Sequence, residues 1–413
     1  MSVPRLLILA GYHPAVPYVG GLLLGDVARL YPRDRIFSYS FRMDWPLSGE
    51  FGWLPSEFGN GLPQKGYCTS TRTLVRAATV PFRMVAWKRQ VSRLVKQAVR
   101  FGRRCGVEKI WAVADYETNI LMTRRVARAL GVPYVTTVWD PPDQYAPHRG
   151  LDRTFVPGLM REFSRMQRGA AACGVASENM AREYSRLYGV RCVVLRHAVP
   201  RRLWRPARTA PAADGVLRIG FAGSLYAKDE FNALLAALDS RAWRVAGREV
   251  TIDLLGEHFQ LRRHSPVRIL LHGYQPLAKA IEILHGADLG YVPYWFDESR
   301  SAAVRMCFPG KIASYAAAGI PVFFHGPQGS SPAEFMRRYP VGAACHSLDP
   351  EEIVRALEAF VSDPGSYAVA ADAIERAREE ELNLEHYAQH FAELLGIDAS
   401  ELAPADGEED AGP

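Results

Sequence analysis

The sequence predicts an α/β protein built as two doubly wound domains, and three observations carry that expectation. Short apolar runs alternate with helical patterns, beginning with Arg5 to Ala10 and Lys109 to Ala114. The stretch from Asp288 to Phe324 reads as strand, long loop, short helix, strand. Residues 199–217 hold three prolines and several alanines, which is the best interdomain linker in the chain.

Length and composition fit this reading. A chain of 413 residues suggests two or three domains, and a hydrophobic share of 48% is enough for substantial cores. No run of 18 apolar residues occurs, so no spanning helix is expected, and the N-terminal RLLILAG suits a first strand better than a signal peptide. Six cysteines are scattered without a Cys-x-x-Cys pair, which points to reduced thiols in a cytoplasmic protein and away from a zinc site. The formal net charge is +6 even though the chain ends in the acidic GEEDAGP.

Within the central stretch, Leu289 to Pro293 is a buried strand and Ile320 to Phe324 the next one. Pro309 sits at the first turn of the intervening helix and Gly319 stops it. The alanines leave room for close approach, and the helix N-terminus with Lys311 makes an anion site, most naturally for phosphate. An ordinary crossover with a surface lysine fits the same residues.

FPGKIASYAAAGIPV resembles the Pro-x-Lys…Tyr-x-Ala-x-Gly-x-Pro-Val segment of glycosyltransferases with the GT-B fold, especially the large retaining family four. Lys311, Tyr315, Ala317, Gly319, Pro321 and Val322 match it. The resemblance implies two Rossmann-like domains facing a cleft, with this helix beneath the diphosphate and ribose of a nucleotide-sugar. The family's ribose-gripping glutamate is replaced by Ser314, and Met306 stands where the motif's first glutamate would be. Serine keeps one hydrogen bond but no charge.

Earlier in the chain, the glycine pair Gly20-Gly21 opens a helix toward Leu30. Such a pair either lets a ligand approach the backbone or merely serves the turn. His13, at the tip of the first strand, is a candidate acceptor contact, because open α/β sheets bind ligands beyond the carboxyl ends of their strands. Residues 41–67 are rich in aromatics and glycine without a period, as in an insertion shaping an acceptor pocket.

From Phe58 to Val107 there is no acidic residue. Met84, Trp87, Val91, Leu94 and Ala98 mark one face of a basic helix there. Its basic side suits an anionic membrane surface or is simply solvated. Nucleic acid is the less favoured partner, since no recognisable nucleic-acid module accompanies the charge.

The strand after Gly131 ends at Trp139-Asp140, where the resembling family often has His-Asp. Trp139 offers a platform for a sugar ring but cannot shuttle a proton. Asp115, Asp140 and Asp143 are cleft carboxylates or turn and cap residues. Ser177 reads as a helix N-cap.

In the second domain Gly223, Ser224 and Lys228 match the family's strand–turn–helix, and the resemblance places Lys228 at the donor diphosphate; Gly20, Gly21, Gly223, Ser224 and Lys311 are expected around the same group. Two cations and helix ends stabilise charge on a leaving diphosphate. The family's arginine slot holds Ser224, and Arg300 or Arg305 is a substitute cation. Gly256, Tyr274 and Ser314 are expected at the base and ribose, and Trp139, Glu298 and Arg305 beside the sugar.

No Asp-x-Asp, Gly-x-Gly-x-x-Gly, P-loop, Gly-x-Ser-x-Gly or His-Glu-x-x-His occurs, which removes the defining parts of metal-dependent GT-A transferases, dehydrogenases, ATPases, hydrolases and metalloproteases. The expectation is therefore a transferase moving a sugar from a nucleotide-sugar to a glycan or lipid-linked acceptor, as in polysaccharide biosynthesis. It would work with retention, without metal or other cofactor, in the cytoplasm or peripherally on the inner face of the membrane. On an inverting mechanism, His13 or Asp140 would be the base. A GT-B-like binding or scaffold protein that has lost catalysis is the alternative. The expected layout is an acceptor-side domain over 1–199, a linker over 200–216 and a donor domain over 217–382. A C-terminal helix crossing back over 383–397 and an acidic disordered tail over 398–413 complete it.

Overall fold

The computed structural model describes residues 3–16, 19–41, 47–59, 73–148, 151–256 and 268–402. The chain forms two compact units, one from the chain up to Leu195 plus the segment from Ala388, the other from Arg196–Tyr387.

The first unit runs β1 (Leu6–Leu9), α1 (Val19–Leu30), β2 (Ile36–Ser40), β3 (Ser56–Phe58), α2 (Thr73–Arg104), β4 (Lys109–Val113), α3 (Glu117–Leu130), β5 (Tyr134–Val138), α4 (Pro142–His148), α5 (Val156–Gly169), β6 (Cys173–Val175), α6 (Glu178–Tyr188) and β7 (Cys192–Val194). Its sheet is parallel with strand order β3-β2-β1-β4-β5-β6-β7. The chain therefore starts in the middle, winds one way, and reverses between β1 and β4. β1, β2 and β5 are buried throughout, as sheets covered on both faces require.

The second unit runs β8 (Val216–Ala222), α7 (Lys228–Ser240), β9 (Arg244–Val245), β10 (Arg248–Leu255), β11 (Ile269–Gly273), α8 (Leu277–His285), β12 (Leu289–Pro293), α9 (Ser301–Met306), α10 (Lys311–Ala318), β13 (Val322–His325), α11 (Ser331–Arg338), β14 (Gly342–Cys345), α12 (Pro350–Ser362) and α13 (Pro364–Glu380). Its order is β11-β10-β8-β12-β13-β14, with β9 antiparallel to β10. Here the reversal lies between β8 and β12. Both units are thus Rossmann-like, doubly wound sheets. The last helix, α14 (Leu384–Leu395), starts in the second unit and from Ala388 belongs to the first. There the Phe391 ring meets Trp111 edge-on at 5.0 Å, and Lys109 Nζ donates to the Leu395 carbonyl at 2.5 Å.

Three local readings are refined. The aromatic stretch over 41–67 contributes a helical turn at Gly49–Phe51 and the edge strand β3, too short for a period to show; residues 42–46 and 60–67 lie outside the described residues. The long loop before Lys311 contains the helix α9. The helix α2 extends over 32 residues, with Trp87, Val91, Leu94 and Ala98 buried and Met84 half-buried. Trp87 packs edge-on against Phe155 at 5.6 Å. The tail from 403 onward also lies outside the described residues.

Candidate functional site

In the second unit the site grows from the switch point between β8 and β12. Tyr315, one turn into α10, is fully buried. Its hydroxyl accepts the Ala222 N–H at 3.0 Å and donates to the Tyr291 carbonyl at 2.9 Å. One phenol thus joins the end of β8 to the middle of β12. Gly290 makes room for it, since a Cβ there would lie 2.5 Å from the ring. The opposite end of α10 is held by Arg378, whose guanidinium donates to the Ala316 carbonyl at 2.7 Å and the Ala317 carbonyl at 3.2 Å. A cation on the last carbonyls complements the helix dipole.

Lys311 and Ser314 are the two residues of α10 that are not fully buried, and their spacing of three places them on one face. Lys311 is not a surface lysine. Its Nζ makes no hydrogen bond among the described residues and lies over the Phe221 ring at 3.9 Å and the Tyr226 ring at 4.8 Å. Burial pulls its pKa down to about 7. An ammonium held between ring faces, at the amino end of a helix, is one charge short of a partner.

The carboxyl ends of neighbouring strands are stitched together beside it. Gly223 N donates to the Leu255 carbonyl at 2.8 Å, and Gly256 N to the Gly273 carbonyl at 2.9 Å. Ser224 is exposed in the turn after β8, Lys228 is the exposed first residue of α7, and Tyr274 is exposed just after β11. The loop after β12 is tied to the same region, with the Trp295 indole donating to the Tyr226 carbonyl at 3.0 Å and Phe296 N to the buried Glu230 carboxylate at 2.8 Å. Arg300 stacks on Trp295 at 4.8 Å and pairs with Asp297 at 3.4 Å. Glu298 lies exposed in the turn before α9, and Arg305 is exposed in the last turn of α9.

In the first unit the reversal between β1 and β4 is pinned by Asp115, whose carboxylate accepts the Gly11 N–H at 3.0 Å. Tyr116 donates to the Tyr12 hydroxyl at 2.8 Å. His13 is buried with both ring nitrogens engaged: Nδ1 accepts Ala15 N–H at 3.0 Å, and Nε2 lies 2.7 Å from the Ser56 hydroxyl, which itself donates to the Leu54 carbonyl. This fixes the Nε2–H tautomer, and burial lowers the pKa to about 4. Gly20 and Gly21 stand in the first turn of α1, where a Cβ on Gly21 would lie 2.1 Å from the Val16 carbonyl oxygen. The chain itself therefore requires glycine at 21. Trp139 is half-buried and Asp140 exposed just after β5, and Asp143 is exposed in α4. Ser177 caps α6 by accepting Met180 N–H at 3.2 Å.

Sequence reasoning did not assign Phe221, Tyr226 or Arg378, which box Lys311 and cap α10. Their roles arise from contacts far apart in the chain, and no local motif announces them.

No protein-family model matches the sequence, and no curated protein matches it. Solved structures do. HepE of Anabaena, determined with UDP-glucose, has a TM-score of 0.63 at 14% identity, over 95% of this chain and 99% of its own. Sucrose-phosphate synthase from Thermosynechococcus elongatus has a TM-score of 0.66 at 10% identity, over 95% and 98%. A trehalose 6-phosphate synthase from Burkholderia multivorans has a TM-score of 0.62 at 14% identity, over 96% and 98%. The chain has the GT-B fold. In GT-B terms, the unit built on β8 to β14 carries the α10 motif, and the unit built on β1 to β7 carries His13 and Trp139-Asp140.

Proposed function

We propose that this GT-B protein is a glycosyltransferase that moves a sugar from a nucleotide-sugar to a glycan or lipid-linked acceptor, with retention and without a metal. The observation that carries the proposal is Lys311: an unpartnered, buried amine at the amino end of α10, on the same helix face as Ser314 and at the switch point of the second sheet. A diphosphate seated there meets the helix dipole and Lys311, with Lys228 at the start of α7 as second cation. Ser314 offers the ribose one hydrogen bond, and Tyr274 with Gly256 borders the base. As the glycosidic bond breaks, charge gathers on the diphosphate, where these groups stabilise it most.

On a retaining course the leaving phosphate takes the acceptor proton and no protein base is needed. The engagement of both His13 nitrogens favours this course over an inverting one. The metal-free reading rests on the missing Asp-x-Asp. The acceptor-side unit exposes a basic row on α2, Lys88, Arg89, Arg93, Lys96 and Arg100, next to exposed Phe82 and Val85, which suits an anionic membrane carrying a lipid-linked acceptor.

The test is thermal unfolding with UDP, GDP, ADP, CMP or dTDP at millimolar concentration. UDP comes first, because HepE was crystallised with it. A ligand at 100 times its Kd stabilises by about 2.7 kcal/mol. One nucleotide should raise the melting temperature of the native chain and fail to do so for Lys311→Ala and Lys228→Ala. No shift with any nucleotide overturns the donor site and favours a binding or scaffold role.

A further inference from the structure

Thr136, Cys173 and Cys192 form one rung across the first sheet: Thr136 is the register partner of Cys173, and Cys173 of Cys192. Register partners in parallel strands point to the same face. Their Cα atoms lie about 4.8 Å apart in a regular sheet, inside the roughly 4.4–6.8 Å window of disulfides. The Cys173 thiol donates to the Gly174 carbonyl at 3.5 Å and the Cys192 thiol to the Val190 carbonyl at 3.6 Å, which leaves a lone pair of each sulfur for the other. Cys173 is fully buried, while Cys192, on the edge strand β7, is half-buried. The pair has no role in the proposed transfer.

We propose that Cys173 and Cys192 are an oxidisable dithiol, a modification site that a two-electron oxidant such as hydrogen peroxide closes to a disulfide.

The two thiols are unequal, and this sets the order of events. The neighbouring Cys173 thiol, with Ser185 and Arg191, lowers the Cys192 pKa to about 7 against the effect of burial. Burial pushes Cys173 well up. The Cys192 thiolate is therefore the attacking group. It displaces hydroxide from one peroxide oxygen, the O–O bond breaks, and hydroxide leaves as water after taking a proton. Cys192 is now a sulfenic acid. The Cys173 sulfur then attacks the Cys192 sulfur, the S–O bond breaks, and the departing hydroxide takes the Cys173 proton as a second water. Two thiols and one peroxide give one disulfide and two waters, and an external dithiol reverses the change. Cys105, in the turn after α2, and Cys345, whose register partner in the sheet is His325, have thiols raised by burial.

The experiment uses the native full-length chain, treated with about a tenfold excess of hydrogen peroxide and alkylated before unfolding. Trypsin cuts at Arg182, Arg186 and Arg191, so the two cysteines fall on separate peptides. The expected result is one linked peptide pair joining Cys173 to Cys192, lost on reduction with dithiothreitol. In Cys173→Ser, Cys192 should be trapped as a dimedone adduct of the sulfenic acid. Full alkylation of Cys192 after peroxide, or its conversion to sulfinic acid without a linked pair in the native chain, overturns the proposal.

Discussion

Lys311 Nζ lies 3.9 Å from the centre of the Phe221 ring, a residue contributed by the strand on the other side of the switch point. Ring faces attract the ammonium, while burial disfavours it more, and the pKa falls to about 7. The unfolded chain has this lysine near its ordinary value of about 10.4. Between those limits the unfolded state binds the extra proton, so stability rises with pH from about 7 to about 10. Lys311→Met, which keeps the stem and loses the charge, should therefore melt higher than the native chain at pH 7. Its advantage should shrink steadily toward pH 10, and a constant difference would contradict the burial. A nucleoside diphosphate bound at α10 should also draw a proton onto Lys311 near pH 8, read by calorimetry in buffers of different ionisation enthalpy.

Ser314 shares the Lys311 face of α10 but carries no charge. A carboxylate accepting ribose hydroxyls makes charge-assisted bonds, worth about 1.5–3 kcal/mol each. Ser314→Glu should tighten binding of the active nucleoside diphosphate by about tenfold or more in titration calorimetry, while leaving phosphate-only ligands unchanged or weaker. Equal tightening of both would mean that the new carboxylate acts by reorganising the helix.

Tyr315 holds the switch point together through Ala222 and Tyr291. Tyr315→Phe leaves the Ala222 N–H without its acceptor, at a cost of about 1–3 kcal/mol. The second unit should lose roughly 2–10 °C in melting temperature. Gly290→Ala attacks the same contact from the other side, placing a methyl 2.5 Å from the ring, and should cost at least as much. If Gly290→Ala were neutral, the ring would have to have moved, and nucleotide binding at α10 would be the place to detect it.

Local chemistry made much of this legible in the sequence. Gly319 takes the left-handed conformation that ends α10, and the apolar runs at Leu6, Lys109 and Leu289 are strands. The position of Lys311 at a helix start was readable too. Its burial was not, because Phe221 lies ninety residues earlier and nothing in the α10 motif refers to it. His13 stood out as a residue at a strand tip, but its partner Ser56 sits inside the stretch over 41–67 that has no readable period. The apolar face of α2 was visible as a pattern, while what covers it, Phe155 and α3, is set by packing alone.

His13 yields a pH prediction of the same sign in a lower range. Burial holds its pKa near 4, against an ordinary 6.5. The unfolded chain takes up the proton first on acidification, so this residue's contribution is present above about 6.5 and lost as pH falls toward 4. His13→Asn, whose amide oxygen can still accept Ala15 N–H, should lose less stability than the native chain between pH 6.5 and 4. Any activity of the native chain should show no limb from His13 between pH 5 and 8. A limb near 6.5 that disappears in His13→Asn would mean that one of its two hydrogen bonds opens during turnover.

The basic row on α2 separates a membrane contact from a solvated face. Trp87, Val91, Leu94 and Ala98 are already covered within the first unit, so any membrane contact falls to the exposed Phe82, 79% accessible, and to the cations that follow it. Each cation near an anionic surface is worth about 1 kcal/mol, so changing Lys88, Arg89, Arg93 and Lys96 together to glutamine should weaken vesicle binding by about 100-fold or more. Phe82→Asp removes the apolar contact and should weaken binding without flattening its salt dependence. Raising salt from 0.1 M to 1 M shortens the screening length from about 10 Å to about 3 Å and should release the native chain from phosphatidylserine vesicles. Cosedimentation reads all three arms. Equal binding to neutral phosphatidylcholine vesicles, or binding indifferent to salt, would leave the row as a solvated helix face, with the nucleotide site on α10 untouched by that result.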